Sequence, residues 1–315
     1  MTVPETNTPA PLLSVTGLVK QFRSRRSTRE RLSHDQAKVV RAVDDVTFTL
    51  RRGEILGIAG ESGSGKSTTA RCITRLIEAD SGEIHFDGID VRAVHGSALR
   101  AVRRRIQMVF QDPYASLNPR ISVGGAILEA GQVHGQLGSA TPAQFVQEQL
   151  DKVRLPHSFA TRRPRDLSGG QRQRVAIARA MATGPEIIVA DEAVSALDVS
   201  IQTEIVNLFL DLRDSHELSI IFVSHQLPVL AGIADHIAVM RSGAIVEYNT
   251  TTDVFQSPKH PYTVALLAAH PHPDVSRAVT PAESNRDADT QQSADPQPGE
   301  PQPAEAQQSD AEVNS

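Results

Sequence analysis

Residues 60–67 read GESGSGKS, a run whose residue types and spacing could hold a chain of phosphates. Gly60, Gly63 and Gly65 let the backbone curl until successive N–H groups point at phosphate oxygens. Lys66 brings a point charge to the β- and γ-phosphates, Ser67 offers a hydroxyl to Mg²⁺, and the helix expected after the loop adds its positive end. The nucleotide-binding set is therefore Gly60, Glu61, Ser62, Gly63, Ser64, Gly65, Lys66, Ser67 and Thr68. Alone, the loop points to a nucleoside triphosphate and leaves kinase, GTPase, helicase and transporter open. Residues 186–192, EIIVADE, predict a buried strand ending in two carboxylates. At the C-terminal end of such a strand, Asp191 can hold the Mg²⁺ shell and Glu192 can act as general base on a water.

Residues 167–171 read LSGGQ and continue RQRVAIARA. Ser168, Gly169 and Gly170 there form a second candidate anion cradle at a helix start. With this motif the sequence resembles the ATP-binding cassette family, over about residues 12–270. The resemblance implies that Ser168, Gly169, Gly170 and Gln171 face the γ-phosphate held by the other subunit of a head-to-tail dimer. It implies further roles. Gln111, in VFQDPYASLNPR (109–120), matches the Gln loop that senses Mg²⁺ and the attacking water. Asp198, in SALD (195–198), matches the loop that crosses the dimer interface. His225, in FVSH (222–225), matches the switch histidine, and Phe22, in LVKQF (18–22), sits where the family stacks an aromatic ring on adenine. Two positions depart from the family pattern: Ala193 follows Glu192 where Pro is usual, and Gln226 follows His225 where Asp is frequent.

DEAVSALDVS (191–200) and HPYTVALL (260–267), with PYASLNPR, resemble the ATPases of oligopeptide, dipeptide and nickel importers. This resemblance implies an ATP- and Mg²⁺-dependent ATPase at the cytoplasmic face of the cell membrane. Its implied partners are two permease subunits, a second non-identical ATPase and, indirectly, an extracytoplasmic substrate-binding protein. A soluble cassette acting in translation or repair, and a regulatory nucleotide-binding subunit, are the competing classes. The cargo stays open.

These residues need a scaffold. Val46, Phe48 and Leu50 alternate with polar residues as in a half-buried strand. Residues 54–59, 187–190, 220–223 and 237–240 are short apolar runs suited to a parallel sheet buried on both faces. Ala70, Ile73, Leu76 and Ile77 predict a helix over 67–77. Between about 112 and 182 helical patterns replace strands. The fold expected is α/β, and the resemblance makes it a P-loop NTPase (RecA-like) core with an N-terminal antiparallel β subdomain and an inserted α-helical subdomain at about 112–182. The domain boundaries expected are a disordered 1–11, an ATP-binding domain over 12–270 and a disordered acidic, Pro/Gln-rich tail over 271–315.

Composition sets the remaining bounds. Hydrophobic residues make up 39% of 315, but aromatics only 4% with no Trp, so aliphatic side chains must fill the core. The tail carries nine acidic residues against Arg277 and Arg286, a net of −7, which leaves +2 for the rest of a chain whose total is −5. That mild balance gives no reason to expect nucleic acid. The tail's polarity predicts too little burial to offset ordering entropy. Residues 23–38, RSRRSTRERLSHDQAK, form a basic stretch read as a solvated loop, with lipid head groups or an acidic partner loop as the alternative. The single cysteine, Cys72, excludes an internal disulfide and predicts a reducing compartment.

Overall fold

The computed structural model describes residues 10–23, 39–112 and 116–269. The 271–315 tail, nearly all of the N-terminal segment, the basic stretch after Arg23, and Pro113, Tyr114 and Ala115 lie outside the described residues. Arg23 itself ends a strand.

Two sheets organise the chain. Strands β1 (Leu13–Arg23), β2 (Val39–Leu50), β4 (Ser81–Phe86) and β5 (Ile89–Asp90) form an antiparallel sheet in the order β2-β1-β4-β5. Strands β3 (Ile55–Ala59), β6 (Ile106–Val109), β7 (Ile187–Asp191), β8 (Ser219–Ser224), β9 (His236–Arg241) and β10 (Ala244–Thr250) form the second, in the order β10-β9-β3-β8-β7-β6. Its pairings are parallel except at β10, which closes one edge antiparallel.

Apolar residues on both sides of the pleat build this sheet. Ile55 and Ala59 of β3, Ile188 and Ala190 of β7, and Ile220 and Phe222 of β8 enter one core. Leu56, Ile58, Ile187, Val189, Ile221 and Val223 enter the other. Successive side chains of a strand point to opposite faces, so continuous apolar runs fill both cores. The first core also takes the helices that follow β6, namely α3 (Val123–Val133), α4 (Pro142–Lys152), α5 (Gly169–Met181) and α6 (Val199–His216). The second is closed by α1 (Lys66–Ile73) and the antiparallel sheet. Between β6 and β7 the described residues hold helices and no strand, and the short α2 (Gly96–Arg105) precedes β6.

The predicted helix over 67–77 is shorter. It stops at Ile73, with Thr74 as its cap and Arg75 in the left-handed region at φ 55°. The turn leaves Leu76 49% exposed. Helix α7 (Leu227–Ala231) lies between β8 and β9, and α8 (Thr251–Gln256) and α9 (Pro261–Ala268) follow β10. Helix α9 carries the HPYTVALL segment. Pro261 occupies its first turn, where a missing N–H costs nothing, and the His260 ring accepts the Tyr262 N–H at 3.1 Å.

Cys72 lies fully buried in α1, and burial pushes its thiol up to about 11. A folded-state value above the ordinary one means the unfolded chain releases this proton first, so the thiol's contribution to stability falls as pH rises toward 11. We expect no reaction of the native chain with a thiol reagent at pH 8 and one equivalent in denaturant. Rapid labelling of the native chain would place Cys72 at the surface.

Candidate active site

Strand β3 delivers the chain to the glycine-rich loop and α1 carries it away, so the loop sits at the C-terminal end of the parallel sheet. Two glycines are required there. Gly60 has φ 144°, and a Cβ on it would stand 2.3 Å from the Met240 carbonyl oxygen; Gly65 has φ 107°, and its Cβ would stand 2.2 Å from that of Ala42. No side chain fits either place. The Lys66 ammonium, 3% exposed, donates to the carbonyls of Gly60 and Glu61 at 2.8 and 2.9 Å. Burial lowers its pKa, and the nearby Glu192 and Asp191 charges work the other way.

Strand β7 runs beside β8 and ends at the same edge. Ser67 Oγ donates to Asp191 Oδ1 at 2.6 Å. Burial pushes Asp191 up, opposed by that hydrogen bond and by Arg71. Glu192 follows in the left-handed region at φ 49°. Such a conformation costs a non-glycine residue on the order of 1–2 kcal/mol and needs outside support. The support is visible. Its N–H donates to the Val223 carbonyl at 3.0 Å, and its carbonyl accepts the Ser195 hydroxyl at 3.0 Å and the Ser195 N–H at 3.1 Å. Ala193 in place of Pro therefore leaves Glu192 held. The Glu192 carboxylate lies 3.5 Å from His225 Nδ1, just past the end of β8. Glu61, Ser62, Glu192, His225 and Leu266 line one cavity of about 280 Å³.

Gln111 approaches through a relay, its amide donating to Ser195 Oγ at 3.3 Å. It lines a neighbouring cavity of about 230 Å³ with Gly169 and Gln173. The rest of the second cradle faces elsewhere. Ser168, Gly170 and Gln171 line a separate cavity of about 620 Å³ with Arg154, Arg162 and Arg174. Ser168 caps α5: its hydroxyl accepts the Gln171 N–H and its own N–H donates to Gln171 Oε1. Such a cap stabilises a helix by about 1 kcal/mol. A Cβ on Gly170 would meet Ile201 of α6 at 2.5 Å, so α5 and α6 touch through this glycine. Asp198 precedes α6, exposed, with no side-chain cap bond among the described residues. Phe22 is 42% exposed near the end of β1, with the Lys20 ammonium 5.6 Å from its ring centre.

The loop fits a phosphate chain and a cation. Its tight curl at Gly60 and Gly65 excludes any side chain, and the buried Ser64 hydroxyl has no hydrogen-bond partner among the described residues. Ser67 and Asp191 are hard oxygen donors of the kind Mg²⁺ takes. Two residues of the site, Ser195 and Tyr262, carry no motif signal of their role. Ser195 lies in SALD, but nothing in that motif shows the bond to Gln111. Tyr262 lies 201 positions from the loop residue whose N–H it accepts.

A sequence profile described as ABC transporter matches residues 43–195, and one described as Oligopeptide/dipeptide transporter, C-terminal region matches 246–297. The Glutathione import ATP-binding protein GsiA of Pectobacterium atrosepticum is 45% identical over 278 residues, which are 87% of this chain and 44% of that protein. This chain thus spans less than half the length of that relative. A putative peptide import ATP-binding protein of Brucella ovis is 44% identical over 267 residues, 85% of this chain and 81% of that one. Among solved structures, the ATP-binding cassette MJ0796, a dimer in a post-hydrolysis state bound to ADP and Pi, superposes with a TM-score of 0.65 at 27% identity, covering 76% of this chain and 98% of that one.

Proposed function

The chain belongs to the ATP-binding proteins of ABC transporters, and from that premise we propose that it is the ATP-hydrolysing subunit of an importer for peptides. Relatives named for peptide and glutathione import support the cargo class. The observation that carries the chemistry is the meeting of Lys66 and Ser67 with Asp191 and Glu192 at one sheet edge, tied by the 2.6 Å Ser67–Asp191 bond.

In this reading the loop amides and Lys66 hold the β- and γ-phosphates, and Phe22 stacks on adenine. Ser67, Asp191 and Gln111 hold Mg²⁺, which when bound neutralises charge on the phosphate oxygens. Glu192 orients a water and takes its proton as the water oxygen bonds to the γ-phosphorus and the bond to the β-phosphate oxygen breaks. His225 steadies that water and the γ-phosphate from the other side. Ser168, Gly169, Gly170, Gln171 and Asp198 complete the site of a second ATPase subunit, a role consistent with Ser168, Gly170 and Gln171 opening onto a different cavity from Glu192 and His225. Among the described residues no helix is long and apolar enough to cross a membrane. We therefore assign the membrane path to two permease subunits, with this chain docked on their cytoplasmic face and an extracytoplasmic protein supplying the cargo. The domain boundaries proposed remain 12–270 for the ATPase and 271–315 for the tail.

Lys66→Ala tests the site. Removing a charged donor of this kind costs roughly 1.5–3 kcal/mol, about 10- to 100-fold in affinity. Calorimetric titration with Mg-ATP should show that loss with the melting temperature retained, and wild-type affinity would refute the assignment.

A further inference from the structure

Tyr262 reaches the phosphate loop from the far end of the described chain. Its hydroxyl accepts the Glu61 backbone N–H at 3.2 Å. The same residue's carbonyl accepts the Lys66 ammonium at 2.9 Å. Glu61 is thus held through both of its backbone polar groups: its carbonyl by Lys66 and, at 3.2 Å, by the Ser64 N–H, and its N–H by Tyr262.

The tyrosine is itself well fixed. It is 8% exposed, and the Arg241 guanidinium lies 4.9 Å from its ring centre. Leu266, one turn further along α9, lines the cavity shared by Glu61, Ser62, Glu192 and His225. The start of the helix is anchored to β10, where the Glu247 carboxylate accepts the N–H groups of Lys259 and His260 at 2.9 and 3.0 Å. Burial works against ionisation of Glu247, but the bonds from Lys259 and His260 hold it below the usual carboxylate range.

We propose that Tyr262 is a positioning residue for the phosphate loop, so that α9 sets the affinity of this chain for nucleotide. The proposal rests on the ATP-site reading above. It places part of the nucleotide site in the segment matched by the oligopeptide/dipeptide C-terminal profile, outside the residues matched by the ABC transporter profile. Tyr262→Phe removes one oxygen and keeps the ring, leaving the partly buried Glu61 N–H without its acceptor. A neutral hydrogen bond of this kind corresponds to roughly two- to tenfold in an equilibrium.

The experiment is Mg-ATP calorimetry on the full chain for wild type, Tyr262→Phe, Tyr262→Ala and Lys66→Ala, with melting temperatures measured without nucleotide. KM and kcat are measured in the complex with its partners. Tyr262→Phe should raise Kd and KM two- to tenfold while kcat and the melting temperature stay near wild type. Tyr262→Ala, which also loses the packed ring, should add a fall in melting temperature. If Lys66→Ala loses ATP and Tyr262→Phe binds it as wild type does, the positioning role is overturned and the ATP site stands. If Tyr262→Phe melts as low as Tyr262→Ala with Kd unchanged below the transition, the tyrosine is structural only and the proposal fails. Wild-type affinity in Lys66→Ala would remove the ATP site itself, and this proposal with it.

Discussion

Glu192→Gln should bind ATP as tightly as wild type and lose nearly all turnover. The amide has almost the shape of the carboxylate but cannot take a proton from water. The backbone that aims it is held through the Glu192 N–H, its carbonyl and Ser195, none of which the substitution touches. Loss of a positioned base costs about 10²–10⁴-fold, or roughly 3–5 kcal/mol in the barrier. The variant should also accumulate a closed, ATP-bound dimer, because assembly persists while the step that ends it is blocked. Steady-state ATPase of the assembled transporter, together with the mass of the ATP-bound species in solution, checks both outcomes. Turnover within a few-fold of wild type would remove Glu192 from the base role.

Much of the site is written in short motifs because phosphate chemistry demands particular residues at fixed spacing. A loop that must present N–H groups needs glycine at 60 and 65, where the structure leaves no room for a Cβ. A carboxylate at a strand end needs only the apolar run before it, and β7 ends at Asp191 as EIIVADE predicts. Strands β3, β8 and β9 were legible for the same reason: a strand buried on both faces is a bare apolar run. The strands not singled out are mixed in character. β4, SGEIHF, buries only Ile84 and Phe86, and β10 buries little but Glu247. Helix α1 was read too long because Leu76 and Ile77 keep the helical period, whereas the chain turns at Arg75 and sends Leu76 outward. Periodicity reports which residues are apolar, and the left-handed turn is a backbone event it does not register. The two relays were not legible. Gln111 to Ser195 spans 84 positions and Glu61 to Tyr262 spans 201. Each is one hydrogen bond between segments that only the folded sheet brings together.

The isolated chain should be a poor ATPase. One chain supplies Lys66, Ser67, Asp191 and Glu192 at one sheet edge, while Ser168, Gly170 and Gln171 open onto a different cavity. Alone, then, it should bind Mg-ATP through its own loop but leave the γ-phosphate open on one side to bulk water. Water there is neither oriented nor excluded, and the preorganised donors that would stabilise the developing charge are missing. In the proposed assembly a second cassette would close that side with its own signature residues. A single oxyanion-type donor is worth about 10²–10³-fold in rate, so bringing up the opposing signature should raise turnover by at least that order. In the proposed assembly, docking on the permeases would bring the two cassettes into register, and the non-identical partner would supply the facing site.

The decisive measurement is ATP turnover per chain against protein concentration, with and without the second ATPase and the permeases. A shared site predicts a rate that climbs with concentration for the isolated chain and rises by on the order of a hundredfold when the partners are added. If a concentrated homodimer equals the assembled complex, the site is shared but the partner need not be a different chain. Full, concentration-independent turnover by the isolated monomer would contradict the shared site outright.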